Sequence, residues 1–203
     1  MHSGPEVSQL IRAARQGDAA ALGRLLGGYR NYLKFLARAG IADGLRAKAD
    51  PSDAVQESLL RATRHFDQFR GTTEGELAAW LRQILARHLA NLARQYRGTE
   101  ARQVGRERSL EALLGASSAA LGRLFAAPPA SPSRSAERRE QGVLLANALA
   151  ELAPDHREVI VLRNLEERDW DEIARRMNRT PGAARMLWAR ALKQLRPLLE
   201  ERL

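Results

Sequence analysis

Few side chains in this sequence are placed for covalent chemistry. Cysteine is absent, which removes disulfides, thiolate zinc sites and a cysteine nucleophile, and suits a reducing compartment. The four histidines, His2, His65, His88 and His156, show no metal-ligand spacing. No Walker-type loop or dinucleotide fingerprint occurs. Nothing groups serine, histidine and aspartate into a nucleophile and its base. No catalytic residue, metal or cofactor is expected. What the sequence offers instead is cationic recognition. Its 33 Lys and Arg outnumber 24 Asp and Glu, for a net charge of +9. The isoelectric point of about 11.0 favours a polyanionic partner.

Two stretches concentrate that charge. The first is Asp169 to Arg196, which reads as two helices and a tight turn. Asp169 can cap the first helix, with Glu172 as reciprocal partner. Ile173, Ala174 and Met177 supply a buried stripe. Asn178 stands where a positive φ ends a helix, Thr180 caps the second helix, and Pro181 opens it. At 100° per residue from Arg185, Arg196, Lys193 and Arg190 fall at roughly 20°, 80° and 140°. Ala184, Leu187, Trp188, Ala191, Leu192 and Leu195 fall between roughly 200° and 340°. From Ile173 to Leu199 there are seven basic residues and no acid. This is the pattern of a helix-turn-helix that reads the major groove; an ordinary helical hairpin with a solvated basic face is the plainer reading.

The second stretch is Leu77 to Arg97, acid-free as far as Thr99. Counted from Arg82, Arg97, Arg94 and Arg87 fall at roughly 60°, 120° and 140°, opposite an apolar arc that includes His88. Trp80 and Asn91 lie on the border. A Gly/Thr loop, Phe69 to Glu76, precedes the helix. A basic groove beside an aromatic can hold unpaired bases by stacking. The alternative is that Trp80 packs against the preceding helix.

Other elements must position these. Residues 6–39 read as two helices separated at Gly17-Asp18. Residues 40–49 read as a loop. Asp50 caps a third helix opened by Pro51, with Val55, Leu59, Ala62, Phe66 and Phe69 inward. Its second face carries Asp53, Gln56, Glu57, Leu60 and Arg64, which is either a solvated surface or a docking surface. Seventeen of the twenty-two residues from Gly115 to Ala136 are Ala, Ser, Pro or Gly, the composition of a linker. Val143 to Leu152 and Val159 to Leu165 supply two further helical stripes. The class expected is all-α: two small helical domains, 1–98 and 142–203, joined by a flexible linker, 99–141. No apolar run approaches the roughly 18 residues of a membrane span, and no signal peptide is evident, so the chain reads as soluble and cytoplasmic.

Beside the Gly17-Asp18 break, three motifs in order carry a family resemblance: DPSDAVQESLLRATRHFDQFRG at Asp50–Gly71, AWLRQIL at Ala79–Leu85, and LAELAPDHREVIVLRNLEERDWDEIARRMNRTPGAARMLWARALKQLR at Leu149–Arg196. Together they resemble a bacterial RNA polymerase sigma factor of the extracytoplasmic-function (ECF) class, in the sigma-70-like family. The resemblance implies a non-enzymatic initiation subunit with a sigma-2-like and a sigma-4-like domain. It implies docking of Asp53, Gln56, Glu57, Leu60 and Arg64 on the β′ clamp helices of core polymerase, with the β flap a further contact. It implies −10 recognition and melting by Arg70, Gly71, Thr72, Thr73, Trp80, Arg87, Asn91 and Arg94. It implies −35 recognition by Thr180, Arg185, Met186, Leu187 and Arg190, with Arg176 and Arg179 on phosphates. An anti-sigma partner is common among such proteins; no residue here demonstrates one.

The sequence departs from the family at several positions. Arg87 stands where asparagine is frequent, Asn91 where an acid is frequent, and Leu77 where an aromatic is. Asn178 replaces a turn glycine, and Ala183 and Leu187 replace a threonine and an arginine. These changes bear on the promoter sequence, not on the fold. Two other functions compete. A stand-alone helix-turn-helix regulator predicts a dimerisation element, and no heptad seam is visible. A nucleic-acid-processing enzyme predicts an acid/base or metal cluster in the first half, and none is visible.

Overall fold

The computed structural model describes residues 4–41, 50–97 and 134–200, with isolated positions at 112, 115 and 116. Most of the expected linker, and most of the 40–49 loop, lie outside the described residues. All regular structure among the described residues is helical. The helices are α1 (Gly4–Arg15), α2 (Ala19–Gly27), α3 (Arg30–Gly40), α4 (Pro51–Arg64) and α5 (Glu74–Arg97). The second half holds α6 (Arg134–Glu151), α7 (Pro154–Ile160), α8 (Trp170–Arg176) and α9 (Pro181–Glu200).

Local chemistry sets most boundaries. Gly17 at φ 93 ends α1, and Asp18 caps α2 through the Ala21 N–H at 2.9 Å. Asp50 caps α4 through the Ser52 N–H at 2.6 Å. Two expectations need correction. The stripe expected as one helix from Ala21 to Leu36 is broken at Gly27-Gly28-Tyr29 into α2 and α3. The glycines favour a break, and the apolar spacing continues through it, so the pattern alone hides it. Residues 134–141, expected to be unstructured, instead open α6, where good helix formers replace the Ala/Ser/Pro run.

The two halves pack on each other. α3 and α5 lie against α6, and Leu33, Leu36, Leu81, Leu85, Leu145, Leu149 and Ile160 belong to one continuous core. Polar groups seal the seam. Asn147 accepts from the Asn31 amide at 3.0 Å and donates to the Gly28 carbonyl at 3.2 Å. Arg38 of α3 forks onto both oxygens of Glu158, at 2.5 and 2.6 Å, and its Nε reaches Glu166 at 3.3 Å. Those Glu158 hydrogen bonds, joined by the charges of both carboxylates, raise the Arg38 pKa against the cost of burial. The helices of the first half thus share one core with those of the second.

A candidate nucleic-acid interface

The helix-turn-helix forms as its local signals require. The Asp169 carboxylate accepts from the Glu172 N–H at 2.7 Å. Glu172 does not reciprocate; it pairs with Arg168 at 3.1 Å and Arg176 at 3.2 Å. Asn178 takes φ 52, and the Arg179 N–H closes the turn onto the Ala174 carbonyl at 2.8 Å. The Thr180 hydroxyl accepts from the Ala183 N–H at 3.2 Å. α9 buries Ala184, Ala191, Leu195 and Leu199, and turns Arg185, Met186, Arg190, Lys193 and Arg196 outward.

Upstream, α7 runs into a π turn, Val161–Leu165, and Glu167 at φ 53 reverses the chain. This presents the largely buried Glu166 carboxylate to Arg38, Arg168 and Arg176. Arg176 is therefore engaged by two carboxylates, and Arg179 by Asp155 at 2.6 Å. Leu187 is half-buried and packs on the core, unlike the exposed Arg185 and Met186 beside it. Trp188 donates its Nε1–H to Asn164 at 2.9 Å and stands edge-on to Trp170, with ring centroids 5.8 Å apart. Trp170 in turn lies under the guanidiniums of Arg163, at 5.0 Å, and Arg185, at 5.7 Å. Sequence reasoning missed Trp170. Its only signal was an aromatic next to the cap, and its partners come from two other elements.

On the N-terminal half, Thr73 and Glu76 form a capping box around the start of α5. The Glu76 carboxylate accepts from the Thr72 and Thr73 N–H groups at 2.8 and 3.0 Å and from the Thr73 hydroxyl at 2.9 Å. The Thr72 N–H, then the Thr73 hydroxyl and N–H, hold the Glu76 pKa below the usual range. Arg70, Thr72, Thr73, Arg87 and Arg94 are exposed, Gly71 is half-buried, and Asn91 accepts from Arg94. Trp80 is half-buried, 5.3 Å from the Phe69 ring and 6.2 Å from Phe66. Both rings follow α4, in the turn and loop that lead to α5. Arg82, taken as the origin of the basic arc, is buried instead and donates to the Tyr32 hydroxyl at 2.9 Å. His88 is buried as its apolar arc implied, and burial, with Arg61, lowers its pKa against an opposing pull from Glu57.

α4 divides into two faces. Ala54, Val55, Ser58, Leu59 and Ala62 are buried. Asp53, Gln56, Leu60 and Arg64 are exposed and Glu57 is half-buried, its carboxylate paired with Arg61 one turn on at 2.9 Å. Among the described residues, the large hydrophobic side chains left exposed are Leu60, at 44%, and Met186, at 57%. No cluster of His, Asp or Glu among the described residues could hold a metal ion, and no helix among them is long and apolar enough to cross a membrane.

Comparison with known proteins falls on the same elements. The family model for Sigma-70, region 4 matches residues 143–195, which run from α6 to α9. The chain is 26% identical to the RNA polymerase sigma-E factor of Streptomyces avermitilis over 175 residues, covering 86% of each protein. It is 30% identical to the ECF RNA polymerase sigma factor BldN of Streptomyces coelicolor over 196 residues, 95% of this chain and 66% of that one. Over 57 residues, 28% of this chain and 33% of the relative, it is 44% identical to the RNA polymerase sigma factor CarQ of Myxococcus xanthus. The chain belongs to the RNA polymerase sigma factors of the ECF class, within the sigma-70 family.

Proposed function

We propose that the chain binds core RNA polymerase through the outer face of α4 and directs promoter-specific initiation from a bipartite promoter. Loop 69–76 and the Arg87/Arg94 face of α5 take the −10 element, and α9 takes the −35 element as duplex. The carrying observation is where the fold leaves apolar surface exposed. Leu60 and Met186 each stand exposed among polar and charged side chains, and we take them as apolar contact points for a partner. Leu60 is surrounded by Asp53, Gln56, Glu57 and Arg64, a mixed surface suited to a protein helix. Met186 lies between Arg185 and Arg190, where cations reach phosphates or guanine edges and a thioether can lie against a thymine methyl. Arg176 and Arg179 must exchange a carboxylate for a phosphate to contribute.

Run-off transcription with core polymerase, with and without this chain, across a genomic fragment library tests the proposal. Promoter-specific transcripts that depend on the chain are expected, and their absence refutes it. A footprint by the chain alone on a symmetric site would favour the stand-alone regulator.

A further inference from the structure

We propose that Arg15, on α1, is a positioning residue for base capture by the loop 69–76. The inference rests on the −10 reading of that loop. The Arg15 Nη2 donates to the Phe69 carbonyl at 3.1 Å and to the Gly71 carbonyl at 2.6 Å. The same guanidinium lies 5.7 Å over the Phe69 ring, which packs in turn on Trp80. One helical turn pair earlier, the Ser8 hydroxyl donates to the Thr72 carbonyl at 3.3 Å. α1 therefore holds the carbonyl side of the loop, while Glu76 of α5 holds its amide side at Thr72 and Thr73.

The consequence is a loop built before any ligand arrives. Gly71 is enclosed: a Cβ there would stand 2.6 Å from the Glu76 Cβ and 2.7 Å from the Phe69 ring. The Thr73 hydroxyl is engaged in the cap, both donating to Glu76 and accepting from its N–H. Arg70 and the Thr72 side chain are left exposed at the loop tip to meet a base. Without the brace, binding must first order the loop, and apparent affinity falls by the fraction of time the loop is formed. A lysine at position 15 keeps the charge but loses the planar group that stacks on Phe69 while serving both carbonyls.

The test uses reconstituted holoenzyme and two single-stranded oligonucleotides, one carrying the −10 sequence of a promoter mapped by run-off transcription and one scrambled. Affinity is read by fluorescence anisotropy for Arg15→Ala, Arg15→Lys, Ser8→Ala and Gly71→Ala, beside core-polymerase affinity and thermal unfolding. If the unbraced loop is formed about a tenth of the time, Arg15→Ala binds the −10 strand about tenfold more weakly. The scrambled strand and core affinity are unchanged, Arg15→Lys recovers part of the loss, and Ser8→Ala shows a smaller loss in the same direction. Gly71→Ala abolishes discrimination. If Gly71→Ala discriminates normally, the loop is not the −10 reader and the proposed function fails at that point. If Gly71→Ala loses discrimination while Arg15→Ala matches the unaltered protein, the positioning inference is overturned. Equal loss on both strands for Arg15→Ala overturns it as well, since Arg15 is then a plain phosphate contact.

Discussion

Replacing Arg38 by alanine removes the most directional contact between the two halves. The pair it makes with Glu158 is a two-pronged guanidinium–carboxylate bond, with side chains 29% and 36% exposed. That places it between a solvent-exposed pair, worth about 0–1 kcal/mol, and a fully buried one, whose breaking costs about 3–5 kcal/mol. Charge-assisted hydrogen bonds contribute about 1.5–3 kcal/mol, so a coupling of about 2 kcal/mol is expected, equivalent to about 30-fold in a docking equilibrium. Loss of the third contact, to Glu166, adds little, because Arg168 and Arg176 remain on that carboxylate. The assay is a double-mutant cycle in urea unfolding with Arg38→Ala, Glu158→Gln and the double variant. Arg38→Lys serves as the variant that keeps charge without the fork. A coupling below about 0.5 kcal/mol, the range of exposed helix pairs, would refute the claim that this contact clasps the halves. Apolar packing of α3 on α6 would then hold them unaided.

Arg185→Ala is expected to reduce −35-dependent transcription with unchanged affinity for core polymerase, measured by run-off transcription and a core-binding titration; lost core affinity would mean the face is misassigned. Asp53→Ala combined with Glu57→Ala is expected to do the reverse, weakening core binding while α9 still binds a −35 duplex. Asn178→Ala is expected to cost about 1–2 kcal/mol in thermal unfolding, because φ 52 crowds a Cβ without the asparagine amide's local bonding, whereas Asn178→Gly is close to neutral. Burial depresses the His88 pKa, so below the ordinary histidine value of about 6.5 the unfolded chain takes up a proton that the folded chain does not. Stability is complete above that value and falls as pH drops toward the folded-state pKa; His88→Leu is expected to flatten the slope in urea unfolding below about pH 6.5, and an unchanged slope contradicts the assignment.

What the sequence determined by itself was carried by neighbours along the chain. The caps at Asp50, Asp169 and Thr180, the positive φ at Asn178, and the outward arc of Arg185, Arg190, Lys193 and Arg196 all involve residues within a few positions of one another. Their geometry follows from helix periodicity and side-chain chemistry alone. The sides of α4 were legible for the same reason, with Leu60 left over once its inward stripe was assigned. Where two local signals overlapped, the reading failed: the α2–α3 break disappeared inside a continuous apolar stripe.

Only the tertiary structure decided how the charged residues are used. Arg15, Arg38, Arg82 and Arg176 look alike in sequence, yet one braces a loop, one clasps the halves, one is buried on Tyr32, and one is held by Glu166 and Glu172. The partners of the first three lie 50 to 128 residues away. The ring and guanidinium neighbours of Trp80 and Trp170 likewise come from other elements. Periodicity assigns a side chain to a face of its own helix; which carboxylate, carbonyl or ring waits opposite depends on how the helices pack, and no local pattern encodes that.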